Sequence, residues 1–155
     1  MLKEKDIRKA KKIAKGFFKR IDSSIDVDTE KGRDKNIEIN VRMDEPQVLI
    51  GEGGKTLKGV ERLLRLALRN NIDEKFYVNL DINGYKRKKK KYLEERAQEV
   101  ANEVSLTGVK KKMPALPASE RRIIHMELEK RKDVTTESVG REPERQVVVK
   151  PSSDQ

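Results

Sequence analysis

Two short stretches of this 155-residue chain combine residue types at spacings that suit phosphate chemistry. In the first, Gly51-Glu52-Gly53-Gly54 leads into Lys55-Thr56-Leu57-Lys58. Glycines let a backbone approach a ligand without interference from Cβ. A helix opening after them offers unpaired N–H groups and a positive dipole end, and Lys55 and Lys58 add charge within its first turn. Such a turn suits a sugar-phosphate chain rather than a nucleoside triphosphate. A P-loop requires G-x-x-x-x-G-K-[ST] after a strand, and this turn follows a helical pattern. The same residues also fit an ordinary helix–helix connection. Glu52 places an acid in the turn and opposes phosphate by roughly 0.3–1 kcal/mol at an exposed site.

In the second stretch, Pro117-Ala118-Ser119-Glu120-Arg121-Arg122-Ile123-Ile124-His125 opens a helix. Arg121 and His125 are four apart and share a face. A guanidinium beside an imidazole suits a phosphate, with the flat ring stacking on a base or sugar. The alternative is a surface histidine at the edge of the Ile124/Leu128 stripe with a solvated arginine neighbour. A third feature is the run Lys86-Arg87-Lys88-Lys89-Lys90-Lys91, flanked by Tyr85 and Tyr92. It leads into a helical pattern and reads as the start of a basic helix that steers a polyanion without reading its sequence.

Other chemistry finds little support. The chain has no cysteine and a single histidine, so a thiolate site, a cysteine nucleophile and a histidine-rich metal cluster are excluded. No G-x-S-x-G elbow occurs, and the acidic residues lack a convincing metal spacing. No cofactor is expected.

The elements that must hold these residues follow from periodicity. Ile7, Ala10, Ala14, Phe17 and Ile21 recur at helical spacing over 4–21. Ile25–Asp28 alternates as a short strand, Glu30–Asp34 turns, and Ile37, Ile39, Val41 and Met43 mark a second strand. Asp44 or Glu45 is placed to cap a short helix through Ile50, with Pro46 in its first turn. A helix over 55–70 buries Leu57, Val60, Leu64, Ala67 and Leu68. It carries Lys55, Lys58, Arg62, Arg65 and Arg69 as a second stripe, which reads as a solvated face. Phe76–Asn83 alternates as a third strand. After Gly84 come a helix of about 20 residues, a strand over 110–116, a helix over 118–131 and strands over 133–139 and 145–150.

Charge is uneven along this layout. The formal net charge is +10, with 41% of residues charged and a pI near 9.7. Residues 86–112 carry ten basic and four acidic side chains, while 113–155 carry eight of each. The excess points to a polyanionic partner. No apolar run approaches the length of a membrane span and the N-terminus lacks a signal-peptide core, so a cytoplasmic protein without membrane association is expected.

The order helix, strand, strand, helix, Gly51–Gly54, helix, strand resembles the type II KH domain, whose GxxG loop clamps single-stranded nucleic acid. Glu-Arg-Arg-Ile-Ile-His at 120–125, followed by Val134–Gly140 and Arg145–Val149, resembles the R-3-H domain, a small single-strand-binding module. The two together resemble the Jag family of SpoIIIJ-associated proteins. The resemblance implies an α+β chain divided as a KH-like domain over 1–84, a connecting basic helix over 85–108, an R-3-H domain over 109–151 with a strand-helix-strand-strand core, and a disordered tail over 152–155. It implies a non-enzymatic RNA-binding protein, an RNA chaperone or post-transcriptional regulator. The partner it implies is single-stranded RNA, with single-stranded DNA as an alternative ligand and a small KH-domain protein as a further expected partner. Many members carry an additional N-terminal domain that has no counterpart in this sequence. Contacts are expected from Gly51, Glu52, Gly53, Gly54, Lys55, Lys58, Lys86, Arg87, Lys88, Lys89, Lys90, Arg121, Arg122 and His125. The rival reading is an adaptor whose acidic turn at Glu52 docks a KH-domain protein.

Overall fold

The computed structural model describes residues 2–153 and is a mixed α+β structure of two compact units, divided between Lys86 and Arg87. The first unit contains α1 (Glu4–Lys19), β1 (Asp26–Lys31), β2 (Asn36–Arg42), α2 (Gln47–Ile50), a single 3-10 turn (Glu52–Gly54), α3 (Lys55–Arg69) and β3 (Tyr77–Ile82). Its sheet has the order β1-β2-β3. β1 runs antiparallel to β2 with Thr29 opposite Ile39, and β2 runs parallel to β3 with Ile39 opposite Leu80.

Alternation decides which sheet face is covered. Val27, Ile37, Ile39, Val41, Val78, Leu80 and Ile82 point to one side and are buried with Ala10, Ala14 and Phe18 of α1 and Leu57, Val60, Leu64 and Leu68 of α3. The hairpin is longer than its sequence suggests. β1 continues to Lys31, and the reversal falls at Gly32–Lys35, where Asp34 and Lys35 take left-handed φ values of 50° and 66°. Neither Asp44 nor Glu45 caps α2. Pro46 holds the cap position in helical conformation, without a side-chain hydrogen bond. Asn83 ties the ends of β2 and β3 together: its amide donates to the Met43 carbonyl at 2.8 Å, and its oxygen accepts from the Met43 N–H at 3.0 Å. That clamp fixes the point from which the chain enters α2 and the glycine turn.

The second unit is built on α4 (Tyr85–Thr107), whose first two residues belong to the first unit, with β4 (Lys111–Ala115), α5 (Ala118–Leu128), β5 (Val134–Val139) and β6 (Gln146–Pro151). Its strands are antiparallel in the order β4-β6-β5. The helix expected as a separate connector instead supplies Leu93, Ala97, Val100, Ala101 and Val104 to a core shared with Met113, Ile124, Leu128, Val134, Val147 and Val149. At the end of the chain, the Ser152 N–H donates to the Asp133 carbonyl at 2.9 Å. The remainder of the expected disordered tail, residues 154–155, lies outside the described residues.

Candidate nucleic-acid interface

The glycine turn has a different reason for each glycine. Gly51, Gly53 and Gly54 all have positive φ, at 70°, 60° and 80°, where side chains with a Cβ are strained. A Cβ at Gly51 would also lie 2.1 Å from the Thr56 hydroxyl, and one at Gly54 would lie 3.1 Å from the Tyr85 ring. At Gly53 a Cβ would meet nothing within 4 Å. The turn is therefore closed at its flanks and open at its tip, where Glu52 and Gly53 are exposed. Lys55 and Lys58 follow in the first turn of α3, exposed and without an ion-pair partner among the described residues. Tyr85, which flanks the basic run, is half-buried against Gly54 and the first core.

The basic run is largely compensated from within. Lys86 Nζ donates to Glu61 at 2.9 Å and to the Asn79 side-chain oxygen at 2.6 Å. Glu61 in turn accepts the Leu80 N–H at 3.0 Å on the outer edge of β3. Lys89 faces Glu120 at 3.9 Å, Lys90 faces Glu94 at 3.7 Å and Lys91 faces Glu95 at 3.8 Å. Arg87 and Lys88 are exposed and have no such partner among the described residues. The expected field of six adjacent cations is thus reduced chiefly to two, although exposed pairs of this kind hold their partners only weakly. Tyr92 is exposed, with the Lys89 ammonium 5.9 Å from its ring centre.

Arg121 and His125 do not form an open phosphate seat together. Arg121 is 7% exposed; its Nε donates to the Leu116 carbonyl at 2.9 Å, and its guanidinium pairs with the Glu142 carboxylate. It holds the start of α5 to the β5–β6 loop. His125 is half-buried with both ring nitrogens engaged, Nδ1 to the Thr136 hydroxyl at 2.7 Å and Nε2 to the Ser138 hydroxyl at 2.8 Å. Burial, then the positive charges of Arg121 and Arg145, push its pKa below the usual histidine value. Arg122 is exposed and lines a hollow of about 420 Å³ with Lys90, Ser119, Met126 and Lys130.

Sequence spacing does not single out Thr136, Ser138, Glu142 or Arg145. The alternation of Thr136 and Ser138 on one strand face is the available signal, because it puts hydroxyls where a core-facing strand would carry apolar groups. The pairing of Arg121 with Glu142, 21 positions apart, leaves no local pattern. Among the described residues no group of three His, Cys, Asp or Glu side chains is placed to hold a metal, and no helix is long and apolar enough to cross a membrane.

Comparison with known proteins bears on the second unit and on the chain as a whole. Residues 91–151 match the R-3-H domain. The matched segment thus includes most of α4, in keeping with the packing of that helix into the second core. Over nearly its whole length the chain is similar to proteins named RNA-binding protein KhpB. It is 30% identical over 142 residues to that of Clostridium symbiosum, covering 91% of this chain and 64% of the relative. It is 32% identical over 147 residues to that of Streptococcus pneumoniae serotype 2, covering 93% and 45%. For Bacillus subtilis (strain 168) the identity is 28% over 145 residues, covering 92% and 69%. The chain therefore spans under two-thirds of the length of the first of these relatives and under half of the second.

Proposed function

We propose that this chain binds single-stranded RNA without catalysing a reaction, seating the sugar-phosphate chain at the glycine turn and the first turn of α3. The observation that carries this reading is the open tip at Glu52–Gly53 beside two exposed, unpaired lysines at a helix N-terminus. The element order and the β1-β2-β3 sheet, antiparallel then parallel, support the type II KH-like reading of the first unit. The second unit, which contains the R-3-H segment and has Arg122, His125, Arg87 and Lys88 at or near its surface, is the second contact. The relatives' names as RNA-binding proteins support the same partner, and an RNA-chaperone or post-transcriptional role is its extension. Arg121 acts here through the loop that it braces.

Fluorescence anisotropy of labelled oligouridylate against salt tests this. Counterion release predicts affinity falling linearly on a log–log plot, with a slope of about −0.7 for each phosphate neutralised on a single strand. A flat response would refute electrostatic seating of the backbone. The adaptor reading has one observation of its own, the exposed Leu63 and Leu66 on α3 at 56% and 51%. They offer an apolar patch to a small KH-domain protein, and co-purification of such a protein without RNA would favour it.

A further inference from the structure

α1 and α3 pack on the same face of the first sheet, and a groove of about 540 Å³ runs between their outer surfaces. Its floor is apolar: Ile13 and Phe17, both half-buried and packed inward on the first core, lie there with Gly16 and Ala67. Three cations line it, Lys9, Lys12 and Arg20, and no acid does. Lys12 and Arg20 are exposed and have no hydrogen-bond or ion-pair partner among the described residues. Lys9 donates to the Asn71 carbonyl at 3.1 Å, reaching from α1 to the residues that follow α3. Gly16 is the member that the fold does not explain. It sits inside α1, where glycine is a poorer helix former than alanine; its φ is not positive, and a Cβ there would meet nothing within 4 Å. Neither backbone conformation nor space within the unit calls for glycine. Its effect is to leave helix backbone bare in the groove, where another chain can approach closely. An apolar floor bordered by unopposed cations suits a chain that offers carboxylates around a bulky apolar side chain. It suits a nucleic-acid strand less, because its one aromatic ring, Phe17, is half-buried.

We infer that the α1–α3 groove docks an acidic segment of a protein partner, with one bulky apolar side chain seated over Gly16 between Ile13 and Phe17 and the flanking carboxylates on Lys12 and Arg20. The contact goes beyond RNA binding and does not rest on it, since no residue of the glycine turn or of the first turn of α3 lines the groove. Nor do the exposed Leu63 and Leu66 line it. Burial of the apolar anchor supplies affinity, while the cations select the sign of the partner and speed its association.

The test pans a phage-displayed library of random dodecapeptides on the full chain and measures the anisotropy of the labelled peptides that it enriches. The variants are Gly16→Leu, which fills the groove; Lys12→Glu, which reverses one of its cations; and Lys15→Glu, a reversal at an exposed position of α1 that does not line it. The enriched peptides are expected to be net acidic with a bulky apolar residue. They should bind Gly16→Leu and Lys12→Glu about tenfold more weakly than the wild type, and Lys15→Glu within about twofold. No enrichment, enrichment of basic or neutral peptides, or wild-type affinity in Gly16→Leu would overturn the proposal. An equal loss in Lys15→Glu would overturn it in favour of diffuse attraction. Displacement of the peptides by an oligouridylate whose own affinity drops in Gly16→Leu would give the groove to RNA and overturn it likewise. Peptide binding lost in Gly16→Leu with oligouridylate binding unchanged is the supporting result. Failure of the wild type to bind oligouridylate would sink the RNA reading and leave the groove standing. Circular dichroism confirms the fold of each variant. Leucine is a better helix former than glycine, and Lys12→Glu, at an exposed position, remains informative should Gly16→Leu disturb the helix.

Discussion

Replacing Gly53 by aspartate separates the turn's electrostatics from its structure. Gly53 sits at φ 60° and ψ 17°, in the left-handed region, and a Cβ there meets nothing within 4 Å. The folding cost is therefore the backbone term alone, about 1–2 kcal/mol for a residue other than glycine. That is tolerable against a typical stability of about 5–15 kcal/mol. For binding, a carboxylate about 5 Å from a seated phosphate repels it by about 0.8 kcal/mol in bulk-water dielectric, and by more where the strand excludes solvent. Affinity should fall about fivefold or more. Gly53→Ala carries the same backbone cost without the charge and should bind within about twofold of wild type. Anisotropy with an oligouridylate at low salt reads the binding, and urea midpoints with circular dichroism confirm that both variants fold. If the folded aspartate and alanine variants bind like the wild type, the strand does not lie over this turn.

Three other outcomes follow from the same geometry. Glu52→Lys, at the exposed tip, should tighten oligouridylate binding about tenfold by exchanging a repulsion for an attraction, with a steeper salt dependence in the same assay. Arg121→Leu should lower stability by about 2 kcal/mol in urea denaturation, because the Leu116 carbonyl and Glu142 lose their donor. The cost is moderated by Glu142, which is 57% exposed and regains water. Folding stability should also fall as pH drops from 7 towards 5.5. The unfolded-state histidine takes its proton near pH 6.5, while folded His125, with its pKa lowered by burial and by Arg121 and Arg145, resists it. The unfolded state thus binds more protons in that window. His125→Gln should flatten this part of the urea-midpoint profile, and an unchanged slope would contradict the assignment.

The elements were legible where a pattern is local. The spacing of Ile7, Ala10 and Ala14 marks the inner face of α1, although Phe18 rather than Phe17 is fully buried and Ile21 is 48% exposed beyond the helix end, and the alternation of Ile37, Ile39 and Val41 marks β2. The glycine turn was legible because three positive φ values in four residues demand glycine. What surrounds those residues was not. Lys86 meets Glu61 from 25 positions away, Arg121 meets Glu142 from 21, and Tyr85 lies on Gly54. Each of these changes a residue's role, and each depends on how the chain returns to itself rather than on spacing. The same reason explains the misplaced first reversal. Glu30 and Lys31 beside Gly32 suggest the start of a turn, whereas cross-strand pairing to Glu38 and Ile37 carries β1 through them.

In the function proposed above, the tip at Glu52–Gly53 and the opening of α3 receive the strand. Amide resonances of the ¹⁵N-labelled chain, followed during titration with an oligouridylate, test it most directly. Saturable shifts at Gly53 and Lys55 that share one binding constant are expected. Resonances at 51–58 that stay fixed, while shifts gather elsewhere on the chain, would contradict it.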